Sequence, residues 1–270
     1  MTQISIIVPC YNQAQYLGEC LESVLNQTFQ EWECIIINDG STDNTDEIAA
    51  VWLQKDNRFK YIQKENGGLS STRNAGIEIA LGEFILPLDA DDKISINYCK
   101  FAINEFNKDN NLKVVYCNAE KFGTQSGLWF LNDFSLENLA KSNVIFCTAL
   151  FKKSDWTLVG GYDINMIYGL EDWEFWISLL KNGGTVKKIN EVGFFYRIKT
   201  KSMVTDLSVD NLKYLHEYIS IKHADFFVKQ FGSFKFLRNK IAENEYKLKS
   251  EKFVLNLFCN KFFGFKLFKL

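Results

Sequence analysis

The sequence predicts an α/β fold, a twisted and mostly parallel sheet with helices on both faces, followed by a helical extension. Three observations predict it. Short apolar runs alternate with segments whose apolar residues recur at helical spacing. The early runs are continuous rather than alternating, as strands buried on both faces are. The segments between them are long enough to hold crossover helices. With 270 residues, 47% of them hydrophobic, the chain has enough apolar material for one main domain and an appendage.

Taken in order, residues 4–8 form the first strand, and Tyr16, Leu17, Leu21, Val24 and Leu25 mark the first helix face. Residues 34–38, 59–63, 84–88 and 114–118 are the next strands. Periodicity fades between residues 119 and 143, a mixed aromatic and polar stretch suited to facing a substrate. Residues 144–151 read as a further strand, and Gly160-Gly161 as a turn. A helix covers residues 172–181, and residues 185–189 and 192–197 read as two closing strands. From Leu207 onward the chain is helical and lysine-rich, with a net charge of +6. The expected domains are therefore residues 1–206 and 207–270, with no repeat and no low-complexity linker between them.

Composition removes several classes of function. Lys and Arg number 31 against 33 Asp and Glu, so a net charge of -2 gives no reason to expect a nucleic-acid partner. The 7 cysteines are odd in number and lack a CxxC pair, which predicts small core residues in a reducing compartment rather than disulfides or a zinc site. The start of the chain shows no basic stretch leading into an apolar segment, and no window reaches the roughly 18 apolar residues of a spanning helix. A cytoplasmic protein is expected. The 2 histidines, His216 and His223, lie in the charged final third, so chemistry built on histidine is nearly excluded. The GxGxxG and GxxxxGK[ST] fingerprints of dehydrogenases and NTPases are absent.

In open α/β sheets ligands bind at the carboxyl ends of strands. Asp89-Ala90-Asp91-Asp92 puts its carboxylates at such an end, where mutual repulsion is costly unless a cation or a donor offsets it. Magnesium or manganese, with oxygen ligands and a diphosphate completing the shell, suits that need. A solvated loop with helix-capping aspartates accounts for the same residues, and an aspartyl phosphatase is disfavoured because the first strand ends in Pro9-Cys10. Asn38-Asp39-Gly40-Ser41-Thr42-Asp43 offers backbone donors and Asp39 to a base or ribose, or is ordinary turn chemistry. Arg73, after Gly67-Gly68, stands either beside a nucleotide or in a salt bridge on a helix face. Glu171-Asp172 opens a helix, where Asp172 is a general base if it reaches an acceptor hydroxyl and a helix cap if it does not. Trp173 and Trp176 offer faces for a sugar ring, and at least one of them belongs to the core.

Together these segments resemble the second family of inverting glycosyltransferases, which have the GT-A fold. The motifs run Ser5-Ile-Ile-Val-Pro-Cys-Tyr-Asn12, Asp39-Gly-Ser-Thr-Asp43, Asn66-Gly-Gly68 with Arg73-Asn74, Asp89-Ala-Asp-Asp92, Gly169-Leu-Glu-Asp-Trp173, then Tyr196-Arg197 and Ser202. The resemblance implies that Pro9, Tyr11 and Asp39 line a nucleoside pocket with Arg73 beside it. It implies that Asp89 holds ribose and that Asp91 ligates a Mn2+ or Mg2+ ion bridging the diphosphate of a nucleotide-sugar donor, UDP-hexose by default. Asp172 would take the proton of the acceptor hydroxyl, with Glu171, Trp173 and Asp92 as candidate contacts to acceptor or sugar. Arg197 and Ser202 would belong to a loop closing over the diphosphate. Lys199 departs from the pattern, standing where many relatives carry histidine after Tyr-Arg-Ile.

The family resemblance points to bacterial cell-surface polysaccharide synthesis with a glycan or lipid-linked acceptor. The cationic, Phe-rich end either rests on the inner face of an anionic membrane or packs on protein. A sugar-phosphate nucleotidylyltransferase is disfavoured by the absence of a glycine- and arginine-rich loop after the first strand. A non-catalytic scaffold would lack Asp91 or Asp172, and both are present.

Overall fold

The computed structural model describes residues 2–200 and 207–269. Strand β1 (Ile4–Cys10) is buried at every position; it is apolar but for Ser5, whose hydroxyl donates to buried Glu33 at 2.5 Å. It pairs in parallel with β2 (Trp32–Asn38) on one side and β4 (Phe84–Pro87) on the other, and β2 pairs in parallel with β3 (Phe59–Gln63). The crossovers are helices α1 (Ala14–Leu25), α2 (Thr45–Lys55) and α3 (Gly68–Ile79). Helix α1 buries Ala14, Leu17, Cys20, Leu21 and Val24, a stripe at spacings of three and four. Helix α3 lies so close to the sheet that a Cβ on Gly76 would come within 2.6 Å of Ile37 Cδ1.

The later elements are β5 (Lys93–Ile94), α4 (Tyr98–Phe106), β6 (Leu112–Gly123), β7 (Gly127–Trp129), α5 (Leu136–Lys141), β8 (Leu150–Lys152), α6 (Lys153–Val159), α7 (Glu171–Leu180), β9 (Thr185–Ile198) and α8 (Val209–Lys222). The sheet order is β3-β2-β1-β4-β8-β6-β9-β5, with β7 paired to β6. Strand β8 runs antiparallel to β4 and β6, and β5 antiparallel to β9, so the sheet is parallel in its first half and mixed as a whole. Most paired residues lie in parallel ladders, as expected, and the antiparallel placement of β8 has a physical reason. A parallel return needs a crossover, usually helical, and only the 6-residue α5 precedes β8.

Two strand expectations are corrected. Residues 144–151 are largely buried, yet only Leu150–Lys152 pairs with neighbours, because burial of an apolar run does not by itself specify a ladder. The two closing strands are one, β9, whose register against β6 shifts around Asn118, where the Asn118 amide donates to the Asn190 carbonyl.

The chain divides into two compact units, Met1–Lys222 and His223–Leu270. The first takes in α8, whereas the sequence alone assigns residues 207–222 to the extension. Leu215 and Ile219 of α8 are buried, and Lys222 at its end pairs with Asp163 at 2.6 Å and Glu174 at 2.9 Å. The second unit holds α9 (Ala224–Phe231), α10 (Phe234–Leu248) and α11 (Glu251–Phe263). Within it the Asn256 amide accepts from the Leu267 and Phe268 N–H groups and donates to the Phe268 carbonyl, fastening the chain end to α11. Among the described residues no helix is long and apolar enough to cross a membrane. All seven cysteines are free thiols, and six of them are buried.

Candidate active site

The carboxyl ends of β1 and β2 are stitched together by their loops. Asn12 takes a left-handed backbone (φ +52°), and its side-chain oxygen accepts from the Thr42 N–H at 2.8 Å. Asp43 accepts from the Ala14 N–H at 2.9 Å at the start of α1. Pro9 is buried inside β1, whereas Tyr11, just beyond it, is 49% exposed. Asp39 is buried at the end of β2 and accepts from the Gly67 and Gly68 N–H groups, each at 3.0 Å, and from Lys64 Nζ at 2.7 Å. Its carboxylate thereby holds the loop that opens α3, where the helix dipole favours negative charge.

Arg73, on α3, has no solvent-exposed surface. One guanidinium nitrogen reaches Glu171 Oε1 at 2.6 Å and the other Asp89 Oδ1 at 2.7 Å, with the Tyr162 ring 5.4 Å away. The expectation that Arg73 lies beside a nucleoside is corrected: both forks are committed to carboxylates, and the residue ties the end of β4 to the start of α7. Glu171 is likewise buried in this bridge, so it does not face an acceptor. Breaking such a buried pair from one side costs about 3–5 kcal/mol.

The carboxylates after β4 each have a different partner. Asp89, partly exposed, leans on Arg73 and accepts a weak bond from the Cys147 thiol. Asp91 pairs with Lys199 Nζ at 2.5 Å, and its backbone carbonyl accepts from Arg197 Nε at 2.7 Å. Asp92 is 1% exposed and accepts the Arg197 backbone N–H at 2.7 Å. Burial, then the charges of Asp91 and Asp89, push the Asp92 carboxyl well above the usual carboxylate range. Asp92 therefore fastens this turn to β9 and does not touch a sugar. Arg197 spreads over Phe122 and Tyr16, with its guanidinium 4.3 Å and 4.5 Å from the ring centres, and pairs with Glu19.

Asp172 lies in the first turn of α7, after Gly169 and Leu170, both in positive-φ backbone. It is half-buried, accepts from Asn143 Nδ2 at 2.8 Å and from the Trp173 N–H at 2.7 Å, and is adjacent to Glu171. Burial and the Glu171 charge push its carboxyl up to about 7, against the lowering effects of Arg73 and the two donors. A carboxylate with that proton affinity suits a general base near neutral pH. Trp173 is buried and donates from Nε1 to the Leu139 carbonyl at 2.7 Å, so its expected role as a sugar platform is corrected. Trp176 is wholly buried between Phe151 and Phe175.

Ser202 lies outside the described residues. Three side chains that the sequence did not single out complete the site. Asn143 orients Asp172; Cys147 touches Asp89; and Trp129 on β7 packs on Tyr196 at 4.8 Å, forming with Phe146 an aromatic wall. Trp129 and Asn143 in a stretch without periodicity, and Cys147 in an apolar run that reads as a strand, give no signal before the fold is known.

The carboxylate that the resemblance assigns to a divalent metal ion, Asp91, is already paired with a cation of the chain. Asp89 is paired with Arg73 and Asp91 with an ammonium, while Asp92 gives one oxygen to the β9 backbone and keeps the other buried without a hydrogen-bond partner. Among the described residues no group of three or more His, Cys, Asp or Glu side chains converges to hold an ion.

Strand-end carboxylates on a half-parallel, half-mixed sheet define a GT-A type of α/β protein. The fold is shared with the S. aureus TarS fragment 1–349 bound to UDP-GlcNAc, with a TM-score of 0.72 and 20% identity over 85% of this chain and 71% of that one. The Glycosyl transferase family 2 profile matches residues 5–169, and the chain belongs to that family. An uncharacterized glycosyltransferase of Rickettsia typhi is 34% identical over 229 residues, 80% of this chain and 69% of the relative. A chondroitin synthase of Pasteurella multocida is 32% identical over 193 residues, 70% of this chain but only 20% of the relative.

Proposed function

We propose that this protein is an inverting hexosyltransferase that moves a sugar from a nucleotide-sugar, by default a UDP-hexose, to a hydroxyl of a glycan or lipid-linked acceptor. The observation that carries the reading is Asp172. It is a carboxyl held near neutral proton affinity, oriented by Asn143, and linked through Glu171 and Arg73 to Asp89 at the end of β4. In the reaction the Asp172 carboxylate takes the proton of the acceptor hydroxyl as its oxygen bonds to the anomeric carbon. The bond from that carbon to the diphosphate breaks with its electron pair going to the leaving nucleotide, so one displacement inverts the centre.

Tyr11, Asp39 and Asp89 lie at adjacent strand ends and are suited to the nucleoside side, and the wall of Trp129 and Tyr196 to a sugar ring. The UDP-GlcNAc bound to the TarS fragment supports a uridine donor, and the chondroitin synthase relative supports polysaccharide synthesis as the setting. Purified protein would be incubated with a panel of UDP-hexoses and glycan or lipid-linked acceptors, and the anomeric configuration of the product read by NMR. Transfer with inversion is the expected result. Retention would overturn the single displacement.

A peripheral site on the inner face of the cytoplasmic membrane is supported by exposed Phe258, Phe262, Phe263 and Phe265 beside Lys261, Lys266 and Lys269. Co-sedimentation with anionic but not neutral vesicles is the outcome this requires.

A further inference from the structure

We propose that the ammonium of Lys199, rather than a bound divalent metal ion, is the cation that meets the donor diphosphate. The inference rests on the nucleotide-sugar reading above. Three carboxylates in four residues invite a cation where their charge is left over, and here Asp89 and Asp91 are each paired with a cation of the chain. Arg73 holds Asp89, and Asp92, 1% exposed, gives one oxygen to the backbone of β9 and keeps the other buried without a hydrogen-bond partner. Asp91 is the carboxylate that the resemblance offers as a metal ligand, and Lys199 Nζ sits 2.5 Å from its Oδ2.

A hard divalent ion bound to that carboxylate would lie beside a fixed positive charge. The ammonium is itself well placed for phosphate. It is anchored by Asp91 and by Gln13 Oε1 at 3.1 Å, and it stands over the Tyr16 ring at 5.5 Å. With three N–H donors and two of them so engaged, one remains for a phosphoryl oxygen. Asp91 then acts as a positioning residue for the lysine. Gln13 lies between β1 and α1, so the ammonium stands next to the strand ends where Tyr11 and Asp89 lie. Lysine serves elsewhere as a point-charge binder of phosphate.

The test is calorimetric titration of the whole protein with UDP, GDP and dTDP, each in EDTA and again with manganese, for the wild type, Lys199→Gln and Lys199→His. The wild type should bind a nucleoside diphosphate in EDTA, with manganese changing its affinity by less than about twofold. Removing one charge-assisted contact should weaken binding in EDTA by about tenfold or more in Lys199→Gln. Lys199→His, which sets an imidazole beside Asp91, should recover affinity only when manganese is added. Wild-type binding that appears only with manganese overturns the inference and leaves the donor reading standing. Unchanged binding by Lys199→Gln in EDTA does the same. No binding of any diphosphate under either condition overturns the donor reading, and this inference with it.

Discussion

Replacing Asp172 by Asn separates the chemical role of this carboxyl from its effect on folding. The carboxyl titrates at about 7 in the folded protein against an ordinary 3.8. A carboxyl whose folded value is raised takes up a proton on folding. Its neutral form is tolerated fully below the unfolded value, and stability is lost as pH climbs toward the folded one. Above about pH 7 the wild type carries the whole burden of an ionised, half-buried carboxylate, which at 1.36 kcal/mol per pH unit is about 4 kcal/mol. Asn removes that burden but has one oxygen for two donors, Asn143 Nδ2 and the Trp173 N–H. The lost bond costs about 1 kcal/mol. Asp172→Asn should therefore fall about 1 kcal/mol below the wild type near pH 3, already exceed it by less than about 1 kcal/mol near pH 5, and exceed it by about 3 kcal/mol near pH 8. Urea unfolding at these pH values measures each difference. In the same preparation sugar transfer should drop by about 10²–10⁴-fold, as loss of a general base does, while nucleotide binding is kept. A stability difference that does not change with pH would refute the account of the raised proton affinity, and wild-type turnover would refute the assignment of the base.

Other perturbations have expected outcomes of stated sign. Asn143→Ala removes a donor that favours the charged Asp172, so the acidic limb of the kcat/KM profile should move to higher pH. Glu171→Gln removes the neighbouring negative charge and should move the same limb to lower pH, measured in the same assay. Arg73→Met leaves Asp89 and Glu171 without their shared cation and should cost about 3–5 kcal/mol of unfolding free energy in urea. Gly82→Ala would bring a Cβ within 2.6 Å of the Ser5 backbone nitrogen, a neighbour that cannot rotate away. Thermal and urea denaturation should register a loss of about 1–3 kcal/mol, as overpacking does.

The first half of the sheet is readable from the chain because β1, β2 and β4 are buried along their whole length, so their sequences are near-continuous apolar runs interrupted by Ser5, Glu33 and Asn38. The helix carrying Asp172 was legible for a similar reason, since its apolar residues fall at helical spacing after a glycine. The run at residues 144–151 misleads because the core accepts apolar side chains from irregular backbone as readily as from a strand. Arg73 shows the other limit. Its two partners are 16 and 98 residues away in sequence, so nothing local distinguishes a guanidinium that waits for a ligand from one that is already bound on both forks. Trp173 and Trp176 look alike on paper, and both are buried. The ion pair between Asp91 and Lys199 joins two loops 108 positions apart, and only the fold brings them together.

The Arg73 bridge also bears on redesign. Because one buried guanidinium is divided between Asp89, next to the expected donor, and Glu171, next to the expected base, the two halves of the cleft are not separable modules. A graft that changes the loop after β4 to accept a different nucleotide also alters how much of the arginine's charge reaches Glu171, and through it the acidity at which Asp172 works. Donor specificity and pH optimum would then shift together, and an engineer selecting for one should screen for the other.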